Sequence, residues 1–274
     1  MRRKMNDYET LKIEQLNETL IVTLNRPPLN LFNSQMIEDL ISLWQSLRLN
    51  TSVRFIIITG SGDHFSAGAD LKDIPKDGII SEAARIGQLA GHEMMRSLEN
   101  LEQVTVAALN GVVVGAGMAI AMACDFRIMA EDSYFSVPET AIGTYFTWGC
   151  TPRLVRMVGA SKAMEIIMTC EPIQSEEAYR LGLANKVVPE NSLLKMTDEF
   201  IRKIASKSPT CIRITKKIAL GAAMEGFGNM FISEPELMQI VAQNGETEEG
   251  INAFLQKRPP NFEKLQTDAT KINT

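Results

Sequence analysis

Residues 104–124 leave this chain few ways to fold. Val-Thr-Val-Ala-Ala-Leu (104–109) is an apolar, β-branched run stopped by the turn pair Asn110-Gly111, and it reads as a buried strand. Gly115-Ala116-Gly117 then opens an Ala- and Met-rich segment of helical length that ends near Cys124. A strand, a small-residue turn and a helix start, in that order, aim free backbone N–H groups at one spot, with the positive end of the helix behind them. Further on, residues 136–143 read Ser-Val-Pro-Glu-Thr-Ala-Ile-Gly. Glu139 thus stands in apolar surroundings, where a carboxylate is a candidate general base.

The rest of the chain repeats the strand–helix theme. Residues 8–25 read as a hairpin turning at Asn17-Glu18, and the prolines of 26–30 make a loop. Ser34 is the expected cap of a helix over 36–47, with Ile37, Leu40, Ile41, Trp44 and Leu47 on one face. A strand over 55–59, a loop over 60–68, a short helix starting in 69–73 and a helix over 81–101 follow. Strands are expected again at 125–130, 133–136 and 185–188. Strands alternating with helices imply right-handed crossovers and a largely parallel sheet. After Pro152 the pattern is helical, over 154–158, 161–168, 175–181 (capped by Ser175), 193–206, 209–223, 234–241 and 248–254. The division expected is a core over 1–200 and a helical region over 201–274.

Composition narrows the function. A net charge of -5 argues against a nucleic-acid surface. The four cysteines, Cys124, Cys150, Cys170 and Cys211, form no CxxC pair, and His64 and His92 lie far apart, a poor metal set. Reduced, mostly buried thiols in a cytoplasmic-type compartment are the expectation. Arg2, Arg3 and Lys4 are followed by Asp7 and Glu9 rather than by the apolar run of a secretory signal, and no membrane span is expected.

Five segments in order carry a resemblance across nearly the whole chain: Asn25-Arg26-Pro27-Pro28, residues 64–72 (His-Phe-Ser-Ala-Gly-Ala-Asp-Leu-Lys), residues 110–117, residues 182–188 and residues 249–258. Together they resemble the enoyl-CoA hydratase/isomerase (crotonase) superfamily. The resemblance implies an α/β fold, a crotonase-like spiral of β-β-α units with a C-terminal helical trimerisation region, assembled as a trimer or hexamer. It implies an acyl-CoA thioester as substrate, with coenzyme A part of that substrate and no separate cofactor. The N–H groups of Ala69 and Ala116 are then the donors that hold the thioester oxygen as it becomes an enolate. Small residues and a helix N-terminus suit that task independently. Ala67, Gly68, Asp70, Leu71 and Gly115 are expected to line the substrate path. Phe254 and Lys257 match positions that reach the adenosine phosphate region, sometimes of a neighbouring subunit; Lys257 reads equally as a solvated lysine.

The departures from the family pattern concern the reaction. Family hydratases hold water between two glutamates. Glu139 matches one; the other position is Ala119, which has no oxygen to orient water. A single carboxylate suffices to move a double bond from C3 to C2, by taking a proton from C2 and returning it to C4. The leading expectation is therefore Δ3–Δ2-enoyl-CoA isomerisation. Hydration, hydrolysis or decarboxylation of a cyclic or aromatic acyl-CoA, or non-catalytic acyl-CoA binding, are the alternatives. Tyr145, Phe146 and Trp148 stand where hydratases tend to be glycine-rich; they either fill core or select a flat acyl group. His92 is expected to be a packed helix residue.

Overall fold

The computed structural model describes residues 8–73, 81–224, 243 and 245–261. The helix expected over 234–241 lies outside them. The principal sheet has six strands: β1 (Leu11–Leu16), β2 (Thr19–Leu24), β3 (Phe55–Gly60), β4 (Val104–Leu109), β6 (Phe126–Ala130) and β9 (Lys186–Val188), in that spatial order. β1 and β2 form the expected antiparallel hairpin, and every later pairing in this sheet is parallel. Three very short strands, β5 (Val112–Val114), β7 (Tyr134–Ser136) and β8 (Ile173–Gln174), make a second sheet. β5 and β8 are additions to the sequence reading, being too short to show a period.

The central strands are buried on both faces, as parallel strands under helices must be. Their side chains alternate between two cores. Ile56, Ile58, Ala107 and Leu109 face the larger one, with α1 (Ser34–Leu47), α2 (Glu82–Glu99) and α3 (Ala116–Ala123). Phe55, Ile57, Val104, Val106 and Ala108 face the smaller one, closed by Leu193 and Ile201 of α7 (Leu193–Ala205). Between these lie α4 (Cys150–Val158), α5 (Ala160–Thr169) and α6 (Ser175–Arg180).

Two expected caps move by one residue. Asn33, not Ser34, caps α1, its side chain accepting from Met36 N. Gln174 holds the N-cap position of α6; Ser175 is the first helical residue and donates to Glu131 O. The short helix expected from Ala69 is a single 3₁₀ turn over Leu71–Asp73.

In the C-terminal region, α8 (Pro209–Met224) is tied to the sheet. Lys216 Nζ lies 2.8 Å from Asp125 Oδ2 and donates to Gln103 O at 2.7 Å. The last described helix, α9 (Glu246–Leu255), packs on the turn that follows Glu139: Thr247 Oγ1 donates to Gly143 O, and Gly250 sits directly against Ile142.

Candidate active site

Two loops are brought together by backbone pairing and held by buried side chains. The loop after β3 makes a parallel bridge to β5 at Ser66 and Val113, with Ser66 N donating to Val112 O and Val114 N to Ser66 O. A second bridge joins Phe32 to Ala69. Asn110 ties the end of β4 to the same loop, donating to Gly60 O and Gly62 O and accepting from Gly60 N. Asn30, wholly buried, donates to Ser61 O and His64 O. The sequence reading missed both asparagines as organisers of the site. Asn30 lay unremarked in the proline loop, although a buried amide at left-handed φ is the usual way to fix such a turn.

These pairings expose two N–H groups. In the Phe32–Ala69 bridge, Phe32 N donates to Gly68 O and its carbonyl accepts from Asp70 N. The N–H of Ala69 therefore faces away from Phe32, and no described group accepts it. Ala116 is the first residue of α3, so its N–H has no partner within the helix. The distance between the loops is short. A Cβ on Gly68 would lie 3.9 Å from Ala116 N, and one on Gly115 would lie 3.9 Å from Gly68 Cα. Both glycines have positive φ, 102° and 50°, so side chains are excluded here by conformation as well as by space.

Glu139 completes the cluster. The same Cβ on Gly115 would lie 2.8 Å from Glu139 Oε1. Part of the Glu139 residue reaches solvent, but Oε2 is enclosed and has no hydrogen-bond partner among the described residues. Burial pushes this carboxyl up to about 7, its own backbone N–H acting in the opposite sense. Among the described residues no cation offsets the burial. Glu139 starts the 3₁₀ turn Thr140–Ile142, and its carbonyl accepts from Thr144 N at 3.0 Å.

The helix that begins at Ala116 is anchored at its far end. All eight residues of α3 are buried. Arg127, also buried, donates through Nη1 to Cys124 O at 2.8 Å and through Nε to Leu183 O at 2.7 Å. A cation at the C-terminus of α3 favours the helix dipole that points its positive end at the Ala116 N–H. Arg127 belongs to a strand in sequence, and nothing local marks it as a helix cap.

The remaining expected residues fall into three groups. Ala67, Asp70 and Leu71 lie half-buried on the first loop, with Asp70 Oδ2 paired to Arg26 Nη2 at 3.1 Å. A cleft of about 300 Å³ lined by Arg26, Pro27, Pro28, Leu29 and Leu31 runs beside this pair. Tyr145 and Trp148 are half-buried, and Trp148 meets Phe32 edge-on with ring centres 6.5 Å apart. Phe146 is core. Phe254 lies exposed in the last turn of α9, and Lys257 exposed just past it. Ala119 is buried in α3, and His92 is buried in α2, the packed residue expected. A larger cleft of about 420 Å³, between the ends of α1, β3 and β4 and the start of α8, includes none of these residues. Among the described residues no helix is long and apolar enough to cross a membrane.

Known proteins share this fold. The sequence pattern of the enoyl-CoA hydratase/isomerase family matches residues 14–266. A crotonyl-CoA hydratase of Syntrophomonas wolfei is 33% identical over 257 residues, covering 93% of this chain and 98% of that protein. Among solved structures, an enoyl-CoA hydratase of Mycobacterium avium subsp. paratuberculosis superposes with a TM-score of 0.83 at 26% identity, covering 92% of this chain and 98% of the other. A monofunctional enoyl-CoA isomerase of M. smegmatis does so with a TM-score of 0.66 at 29% identity, covering 78% and 93%. With its two exposed N–H groups and its buried carboxylate, the chain belongs to the enoyl-CoA hydratase/isomerase family of acyl-CoA enzymes and has the crotonase fold.

Proposed function

We propose that this enzyme moves the double bond of a 3-enoyl-CoA into conjugation with the thioester. The observation that carries the reading is the lone, enclosed carboxylate of Glu139, raised to about 7 beside two unoccupied backbone donors, with an alanine at 119. Glu139 takes a proton from C2. The electron pair moves onto the thioester oxygen, which the N–H groups of Ala69 and Ala116 hold as an enolate. The dienolate collapses with the double bond between C2 and C3, and Glu139 returns the proton to C4. A carboxyl poised near neutrality suits both transfers, since it neither holds the proton too weakly nor too tightly. Ala67, Gly68, Asp70, Leu71 and Gly115 line the thioester and pantetheine path in this reading. Phe254 and Lys257 reach the adenosine phosphate region of coenzyme A in this reading, in the same or a neighbouring subunit.

Hydration is the second reading, favoured by the relatives whose names are hydratases. It requires Glu139 to activate water without a second glutamate. The two readings part on one measurement: a panel of 2- and 3-enoyl-CoA thioesters incubated in D₂O and read by mass spectrometry. A shifted double bond, seen as the absorbance of the conjugated thioester, with no added water is the expected result, and deuterium enters C4 only where the Glu139 proton exchanges with solvent. Addition of water as the main outcome overturns isomerisation, and neither change means binding alone.

The enzyme is also proposed to assemble as a trimer or a multiple of one. Ile214 and Ile218 on α8 are 51% and 67% exposed, an apolar face that a symmetric partner would cover. Sedimentation of a monomer at all concentrations refutes this.

A further inference from the structure

Trp148 combines three locally unfavourable features. Its φ is 56°, in the left-handed region that a bulky residue avoids. Its indole N–H is enclosed and has no acceptor among the described residues. Its ring presses so closely on α2 that a Cβ at Gly91 would overlap the indole at Nε1, Cε2 and Cδ1. Such a residue persists only when its surroundings dictate its place.

The surroundings do so at both ends. On the backbone side, Arg153 Nη1 donates to Trp148 O at 2.8 Å. Arg153 is itself fixed by Glu99, the last residue of α2, through Nε to Oε1 at 2.7 Å and Nη2 to Oε2 at 2.5 Å. Their side chains are 1% and 9% exposed, so this is a desolvated, two-pronged pair that resists being turned. On the ring side, Gly91 receives one part of the indole, and Phe32 meets it edge-on. Phe32 is the residue whose backbone bridges Ala69. The loop carrying Trp148 departs from Glu139, whose carbonyl holds Thr144 N. The indole therefore packs on the residue whose backbone pairs with Ala69, and it sits on the loop that leaves the carboxylate.

We propose that Trp148 is the residue that closes the acyl end of the site and limits it to short acyl chains, and that Gly91, Arg153 and Glu99 position it. This rests on the reading that the acyl group lies between Glu139 and the Ala69 and Ala116 donors. The enclosed N–H argues for a wall rather than a hydrogen-bonding contact: a ligand cannot reach that donor, so what the residue contributes is shape. Arg153 is the positioning residue because it donates to the Trp148 carbonyl while paired with Glu99, and so holds the left-handed turn from which the ring is aimed.

The test uses saturated acyl-CoA thioesters of increasing length, which bind without reacting, titrated calorimetrically into the whole protein. Wild type is expected to gain affinity over the shortest chains and then lose it. Trp148→Ala moves the optimum to longer chains, with each newly seated methylene adding roughly fourfold in affinity. Trp148→Phe is expected to fall between them. Arg153→Met also relaxes the length preference, and its tryptophan emission shifts to the red; Trp44, wholly buried, serves as the constant background. A merely structural Arg153 would lower thermal stability and leave length preference and emission in the folded protein unchanged. If Trp148→Ala does not fold, Trp148→Leu is read in the same way. An unchanged length optimum in folded Trp148→Ala or Trp148→Leu overturns the proposal alone. Failure of wild type to bind any acyl-CoA overturns the site reading beneath it.

Discussion

Glu139→Gln separates what this carboxyl does for the reaction from what it costs the fold. In the folded protein the group titrates at about 7, against an ordinary value of 4.5. At 1.36 kcal/mol per pH unit that gap corresponds to about 3 kcal/mol, and partial solvent contact of the residue brings the expected figure to about 2–3 kcal/mol. The sign follows from the direction. The folded state binds the proton more tightly than the unfolded state, so between pH 4.5 and 7 it carries more protons. The stability contributed by the protonated group is fully present below pH 4.5 and is lost as pH rises through 7. Glutamine does not titrate, so the difference between wild type and Glu139→Gln isolates the residue from every other ionisation.

Wild type should therefore lose about 2–3 kcal/mol relative to Glu139→Gln between pH 4.5 and pH 8. Urea unfolding followed by circular dichroism at fixed protomer concentration measures it, since stability of an oligomer depends on concentration. The same variant should lower isomerase turnover by roughly 10²–10⁴-fold, as loss of a general base does. In wild type, kcat/KM should fall as pH drops below about 7, because the base must be ionised. Stability curves for the two proteins that stay parallel across this range would show that Glu139 is not held protonated by burial, and the base assignment would lose its physical support.

Three further outcomes test the surrounding structure. Ala116→Val crowds a donor position that is 7% exposed and should cost roughly 10²–10³ in turnover with the fold intact; wild-type kinetics would remove Ala116 from the site. Lys216→Met leaves Asp125 with its Thr105 donors but without its cation, and should destabilise by about 3 kcal/mol in urea unfolding; no change would mean that α8 is not held by this pair. Ala119→Glu places a carboxylate at a position only 1% exposed, so a marked fall in Tm is expected before any gain of hydration, read by ¹⁸O incorporation from labelled water; an unchanged Tm would mean that position 119 opens onto solvent.

The sequence disclosed those parts of the fold whose signal is local. The central strands and α1 carry clear periods, and the turn pairs at Asn17-Glu18 and Asn110-Gly111 end strands where the chain turns. It did not disclose β5 or β8: the valines of β5 favour a strand but, like the two residues of β8, are too few to show a period, and both are completed by pairing with Ser66 and Tyr134. Asn33 and Ser34 are adjacent and equally good caps, so sequence alone had no basis for choosing between them. At the site, Glu139 stood out as a charge among apolar residues. Asn30, Asn110, Arg127 and Arg153 did not, because each works through hydrogen bonds to backbone or charge far along the chain, for which no spacing rule exists.

Ala119 links the reaction to the packing. α3 supplies the Ala116 donor from its first turn, and every one of its side chains is buried in the same core. A glutamate at 119 would require that core to admit a charge and the water it holds. Alanine removes both, and the helix becomes apolar from end to end, with Arg127 satisfying its last carbonyls from below. With alanine at 119, the carboxylate that meets Gly115 is Glu139, and the first loop's Asp70 is already paired with Arg26. The elevation of Glu139 therefore comes from burial alone, since an alanine at 119 offers no like charge to add to it. A site apolar on the α3 side, with a carboxyl near neutrality and two fixed donors, is suited to shuttling a proton along a bound chain more than to delivering water to it.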